Sequence, residues 1–476
     1  MGIAASGTLG VSQPTSVAAL RALTEWATAT ELADIPAAVL QRAAAVIMDD
    51  LAAAIAVRNE PEVRRYREWA QQRADRAEAT LFDGGRTRTD RFWAATVNAM
   101  AMATAEIDEG YQSAPCHAGL YTVPTLMAEA EAENVSVGAL LRAQALSYEL
   151  VTRIARGWRP PGGPYPALYT HARFAAIGAA CASCLVRRVD AETLRQAIGI
   201  AATLITAGPR DHLIRGAAVR NVWPSAGTWN GMMSARWAEF GVTGLESTLD
   251  SVFVEVLGFQ PQTMQLNEDL GRDWAVQHGY SRMYACHLAF IPLIECLLEL
   301  RPHLVGQPMR NIDAVLVSVG NGVEYLATAD PATTLAARFS IPHLVAATLV
   351  LGHALPAAFA TDALTMPAIA ALRSKVLVVA SDSTQAAPGL DTTTVEIRAE
   401  GNRFIALRAP PDRKGGEYCL SRILDKINDL TQDAYPQFGD VARRLITGDG
   451  DLLAESSAEL VTRLTLPARP ETLAQD

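Results

Sequence analysis

Between Ala105 and Gly119 the chain reads AEIDEGYQSAPCHAG: three carboxylates, a tyrosine, a cysteine and a histidine within fifteen residues. Carboxyl and imidazole groups crowded together are the raw material of general acid–base catalysis. Glu106 and Glu109 are three apart and share a face if one helix runs to Gly110, which would cap it in the left-handed conformation. The carboxylates then sit at the negative end of that helix. Asp108 adds like-charge repulsion, and burial would raise at least one of their pKa values. His117 stands just before the next helix, whose N-terminus disfavours the imidazolium, and Gly119 beside it leaves room for a ligand to approach the backbone. A solvated helix end and a structural histidine are the competing readings of the same residues.

The flanking elements must bring these groups together. LADIPAAVLQRAAAVIMDDLAAAIAV carries apolar residues at three- and four-residue spacing, with Pro36 near a helix start. RFWAATVNAMAMATAEIDEG, VPTLMAEAEAE, SVGALLRAQALSYELVTRIARG and FAAIGAACASCLVRR continue the pattern, and Asp190 N-caps DAETLRQAIGIAATL. Their small residues permit close helix–helix approach. After Val276 the texture changes. NIDAVLVSVGNGVEYL, KVLVVASDS and TTTVEIRAEGNRFIALRAP read as strands, the last with a Gly-Asn turn, while RFSIPHLVAATLVLG between them is helical. Beyond Tyr418 the chain is helical again and returns to the first part. The expected architecture is mainly α: a flexible arm over 1–15, an all-helical domain over 16–275 and 415–476, and an inserted α+β domain over 276–414.

Half of the 476 residues are hydrophobic and 19% are charged, enough for a large core, and the net charge of −10 argues against nucleic acid or an anionic membrane as partner. No apolar run approaches the ~20 residues that span a bilayer. No signal peptide is read at the N-terminus, and six irregularly spaced cysteines do not form a disulfide framework, so a reduced cytoplasmic setting is expected. Cys181 and Cys184 form a CxxC inside a helix with no second pair to complete a zinc site, and Cys286 between His278 and His287 fits no metal pattern. No glycine signature implies a nucleotide cofactor. Arg210, Asp211 and His212 form either a surface loop or a cleft rim. Arg159–Pro166, rich in glycine and proline, is a loop that could act as a lid.

VNAMAMATAEIDEG followed by CHAGLYTVPTLMAEAE resembles the first site motif of the MmgE/PrpD family, which includes 2-methylcitrate dehydratase, cis-aconitate decarboxylase and iminodisuccinate epimerase. Four further stretches resemble later family segments in the right order: HARFAAIGAACASCLVRRVDAETLRQAIGIA, VRNVWPSAGTWNGMMSARWAEFGVTG, SRMYACHLAFIPLIECLLEL and ARFSIPHLVAATLVLG. Together they cover about residues 16 to 450. The resemblance implies a helical domain carrying a smaller α+β domain, a homodimer, no cofactor, and a site in the cleft between the domains. It puts Glu106 at the catalytic aspartate position and His117 at the family histidine.

The departures bear on function. Arg220 and Arg282 stand where the family has lysines, His343 replaces a tyrosine, and Tyr169 or His171 takes a histidine position. Trp223 and Trp229 stand where histidines are common. Arginine cannot act as an acid or base, but it clamps carboxylates. Arg220 and Arg282 are therefore expected to bind and polarise substrate, with Asp108, Tyr169, Trp223, Arg210 and His212 as further binding candidates. Proton transfer falls to Glu106 and His117, with His171, His343 and Tyr284 as additional candidates. The expectation is a cofactor-independent lyase, a dehydratase or decarboxylase, that removes a proton α to a carboxylate or carbonyl of a small polycarboxylate. An isomerase, epimerase or cyclase of a larger, less acidic substrate is the alternative, favoured by the missing lysines and the tryptophans. An inactive ligand-binding member is the third reading.

Overall fold

The structure, a computed structural model, describes residues 15–111, 113–161, 167–304, 309–319, 326–380, 392–409 and 419–466. The expected arm over 1–15 lies outside them except for its last residue, as do most of the expected lid and residues 320–325 of NIDAVLVSVGNGVEYL. The chain is mainly α. At its centre helix Ala37–Ala56 starts after Pro36 and is buried almost all round, including Asp49 and Asp50. Helices Arg91–Ala105, Ala118–Glu133 and Val137–Gly157 pack on it, and helices Thr170–Val186 and Val222–Glu239 pack on these in turn. Small residues let these helices touch. A Cβ on Gly231 would lie 2.2 Å from the Ala176 carbonyl oxygen, and one on Gly178 would lie 2.6 Å from the Tyr121 Cβ. Asp190 caps helix Ala191–Thr203 by accepting a bond from the Thr193 N–H at 2.7 Å.

A four-stranded sheet follows in the order Asn402–Arg408, Thr393–Ala399, Ile312–Val319, Val376–Ala380, with only the last pair parallel. Its hairpin turns at Glu400 and Gly401, both with positive φ, and Asn402 already pairs with Ala399. The turn is thus Glu-Gly, one residue earlier than the expected Gly-Asn. Two consecutive left-handed residues match the twist of the flanking strands. Helix Ile341–Leu351 ends at Gly352, whose φ is 84°.

Two connections position the site. Strand Glu109–Tyr111 pairs antiparallel with Gly279–Ser281, Glu109 opposite Ser281. That pairing delivers Arg282 beside Glu106 and Asp108. Helix Leu420–Thr431 then packs on Ala37–Ala56. Its buried Lys426 ammonium pairs with Asp49 and donates to the Arg282 carbonyl at 2.7 Å and the Ile107 carbonyl at 3.2 Å.

Candidate active site

Helix Arg91–Ala105 stops because Glu106 turns left-handed, at φ 52° and ψ 30°. This corrects the expectation that it runs to Gly110. Gly110 lies in a strand, where a Cβ would sit 2.3 Å from the Tyr280 hydroxyl oxygen, so it packs under a ring rather than capping a helix. Glu106 and Glu109 therefore share no helix face. A left-handed non-glycine residue costs about 1–2 kcal/mol. Three guanidiniums offset the strain at this helix end: Arg220 donates to the Ala103 carbonyl at 2.6 Å, Arg338 to Ala105 at 2.6 Å, and Arg282 to Glu106 at 3.3 Å. Each meets a terminal carbonyl that has no intrahelical partner.

The Glu106 carboxylate lies between two of these arginines. Arg282 Nη1 donates to Oε1 at 2.5 Å, and Arg220 Nη2 pairs with Oε2. Burial alone would raise its pKa, but Arg220 and Arg282 together hold it below the ordinary carboxylate range. The expectation that burial raises at least one of these carboxyl groups is met at Glu109 and not at Glu106, where two adjacent guanidiniums outweigh both desolvation and the helix end. Asp108, also buried, is likewise held low against burial by Arg282 and His117. Its Oδ2 lies 2.8 Å from His117 Nδ1, which also faces the Glu109 carbonyl at 2.9 Å. Two acceptors on Nδ1 assign the ring proton to that nitrogen. The lone pair is then on Nε2, 3.4 Å from Arg282 Nη2. His117 immediately precedes helix Ala118–Glu133, as expected.

Beside this cluster His171 meets the His117 ring edge-on, 4.9 Å between centres, and Tyr169 at 4.8 Å. Its Nδ1 bonds the Tyr121 hydroxyl at 2.8 Å and its Nε2 has no hydrogen-bond partner among the described residues, while burial and then Arg220 hold its pKa well down. Both candidates for the family histidine position thus reach the cluster. Arg220 stands 5.7 Å from the Tyr169 ring centre. Trp223 packs behind Tyr169 at 6.1 Å and stacks on His212, so both form an outer layer. Arg210 opens the short helix Arg210–Ile214 in that layer. Three residues stand elsewhere. His343 is bound to the Ala358 carbonyl at 2.9 Å and faces Arg373, with burial pushing it down to about 4. Tyr284 bonds Arg422. Trp229, at a position where histidines are common, joins Phe92 and Trp93 in a half-exposed aromatic group. Cys181, Cys184 and Cys286 are buried free thiols.

Sequence reasoning missed Asp50, the carboxyl group that partners Glu109 behind the histidine. Glu109 accepts from the Gly119 N–H at 2.5 Å and the Tyr148 hydroxyl at 2.8 Å, and Asp50 accepts from the Glu109 N–H at 3.1 Å. Burial, with Asp108 nearby, pushes Glu109 up to about 8; burial and Glu109 raise Asp50 well above its ordinary value. The one available signal was the acid pair in IMDDLAAA, inside an otherwise apolar helix. A Cβ on Gly119 would lie 2.2 Å from Asp50 Oδ2 and 2.7 Å from Glu109 Cγ. Gly119 therefore makes room for this pair and not for a ligand. A hollow of about 280 Å³ lined by Trp26, Asp34 and Trp274 lies apart from the cluster and brings no acid–base pair together. No helix among the described residues is long and apolar enough to cross a membrane.

Residues 21–264 match the model of the MmgE/PrpD N-terminal domain, and residues 284–443 match that of the MmgE/PrpD C-terminal domain. The cis-aconitate decarboxylase-like protein oryM of Aspergillus oryzae is 25% identical over 399 residues, covering 75% of this chain and 79% of its own.

Proposed function

The chain belongs to the MmgE/PrpD family, and from that premise we propose that it is a lyase, a dehydratase or decarboxylase, that removes a proton α to a carboxylate of a small polycarboxylate. One observation carries this reading. His117 is locked through Nδ1 to Asp108 and the Glu109 carbonyl, so its basic Nε2 faces the Arg282 guanidinium at 3.4 Å. A base thus stands next to a group that would hold the substrate carboxylate. Nε2 takes the α-proton as the C–H bond breaks. The electron pair moves into the carboxylate, where Arg282 and Arg220 stabilise the added charge. Asp108 stabilises the imidazolium that forms. In dehydration the β-hydroxyl then leaves with its electron pair and takes the proton held on Nε2 as water. In decarboxylation no proton is removed first: carbon dioxide leaves, its bonding pair enters the conjugated carboxylate held by Arg282 and Arg220, and a protonated Nε2 supplies the proton to carbon. Glu106 aligns the arginines in the free enzyme. A substrate carboxylate sharing those guanidiniums would raise its proton affinity and let it serve as a base in the complex. The expected all-helical part supplies Glu106, His117 and Arg220, and the expected α+β part supplies Arg282. The name of the Aspergillus oryzae relative supports the decarboxylase branch.

The test is hydrogen exchange. With methylcitrate or cis-aconitate in D2O, NMR should detect turnover or α-deuteration that falls about 10²–10⁴-fold in His117→Gln. Undiminished exchange in that variant would refute the assignment. An isomerase or cyclase acting on a larger substrate is the second reading, favoured by the Tyr169–Trp223–His212 aromatic layer beside Arg220. It predicts that neither acid raises the melting temperature.

A further inference from the structure

Arg338 ends the short helix Thr334–Arg338 and is only 1% exposed. Its Nη1 holds the Ala105 carbonyl at 2.6 Å, and its guanidinium stands 5.6 Å from the Phe359 ring centre. Its Nε and Nη2 have no hydrogen-bond partner among the described residues. Those two N–H groups form the side-on edge of the guanidinium, whose parallel donors match the two oxygens of a carboxylate. Glu60 and Glu106 act on Arg338 through space without bonding to it. The other two arginines are differently engaged. Glu106 occupies Nη1 of Arg282 and Nη2 of Arg220, His117 faces Nη2 of Arg282, and Ala103 and Asn221 take Nη1 of Arg220. At the cluster, a complete and sealed carboxylate-binding edge is found on Arg338, one residue along the backbone from the Glu106 clamp.

We propose that Arg338 determines specificity: its side-on edge takes a second carboxylate of the substrate, while Arg220 and Arg282 act on the carboxylate beside the reacting carbon. This rests on reading the cluster as an acid–base site for carboxylates. Three guanidiniums face two low-pKa carboxylates, Glu106 and Asp108, so the cluster carries an excess of positive charge that favours an anionic substrate.

Calorimetry with three unreactive acids tests the proposal: tricarballylate, glutarate and butyrate, carrying three, two and one carboxylates. The wild type should bind the first two more tightly than butyrate. Arg338→Met and Arg338→Lys should weaken the first two by about 10- to 100-fold while changing butyrate by less than about 3-fold. Arg338→Lys retains the charge and a donor for the Ala105 carbonyl, so it reports even if the methionine variant does not fold. Wild-type affinity for tricarballylate and glutarate in Arg338→Lys would overturn the proposal. So would an equal loss for butyrate, which would mark a purely structural role. If His117-dependent exchange persists in either case, the failure belongs to Arg338 alone. If the wild type binds none of the acids and catalyses no exchange, the underlying reading falls with it.

Discussion

Glu106 and Glu109 lie three residues apart and are equally sealed, at 2% and 1% exposed, yet they are driven to opposite protonation states. Glu106 is held below the ordinary carboxylate range and Glu109 is pushed up to about 8. Desolvation is the largest influence on both. The difference is what each oxygen meets. Glu106 meets two guanidiniums. Glu109 meets a backbone N–H and a phenol hydroxyl, with the carboxyl groups of Asp108 and Asp50 nearby. Burial therefore does not fix the state of a carboxyl group. The cations brought to it decide, and in this fold His117 lies between the two outcomes.

The most damaging test removes a cation. Arg282→Met leaves Glu106 and Asp108 buried with one guanidinium fewer and should cost about 3–5 kcal/mol in urea unfolding. Adding Glu106→Gln should recover part of that loss. No recovery would show that Arg282 stabilises through packing and not through charge. Next is Gly119→Ala, whose methyl would collide with Asp50 and Glu109 and should cost about 1–3 kcal/mol by the same assay. An unchanged midpoint would mean that the carboxyl pair is more loosely held than its geometry indicates.

A finer test uses pH. Glu109 rises from an ordinary 4.5 to about 8 on folding, so between those values the folded chain holds a proton that the unfolded chain has released. That contribution is complete below about 4.5 and is lost as the pH rises through about 8. Glu106 and Asp108 act in the opposite sense: their contribution is present above the ordinary carboxyl range and lost as the pH falls through their depressed values. Melting temperature measured from pH 5 to 9 should thus decline toward the alkaline end, and Glu109→Gln should flatten the decline. A slope identical to that of the wild type would break the comparison. The smallest effect is that of Tyr148→Phe. It removes one bond to Glu109, should cost about 1 kcal/mol, and should shift the alkaline decline to higher pH.

Much of the helical framework was legible because it is written locally. Pro36, Asp190 and Gly352 mark helix ends by their own chemistry, and small residues mark where helices touch. The order of family-like motifs carried His117, Arg220 and Arg282 to the site. What failed depended on neighbours distant in the chain. Gly110 resembled a cap until Tyr280 packed over it, and Trp229, at a position where histidines are common, packs instead with Phe92 and Trp93. Arg338 gave no sign, since only folding shows that its side-on edge has no partner.

The sequence by itself determined the composition of this centre and its immediate supports: a carboxylate-rich turn, a histidine at the start of a helix, and arginines where proton-transferring lysines could have stood. Tertiary structure decided which carboxyl group keeps its proton. A pKa is set by charges a few ångströms away in space, and here the deciding ones come from positions more than a hundred residues along the chain.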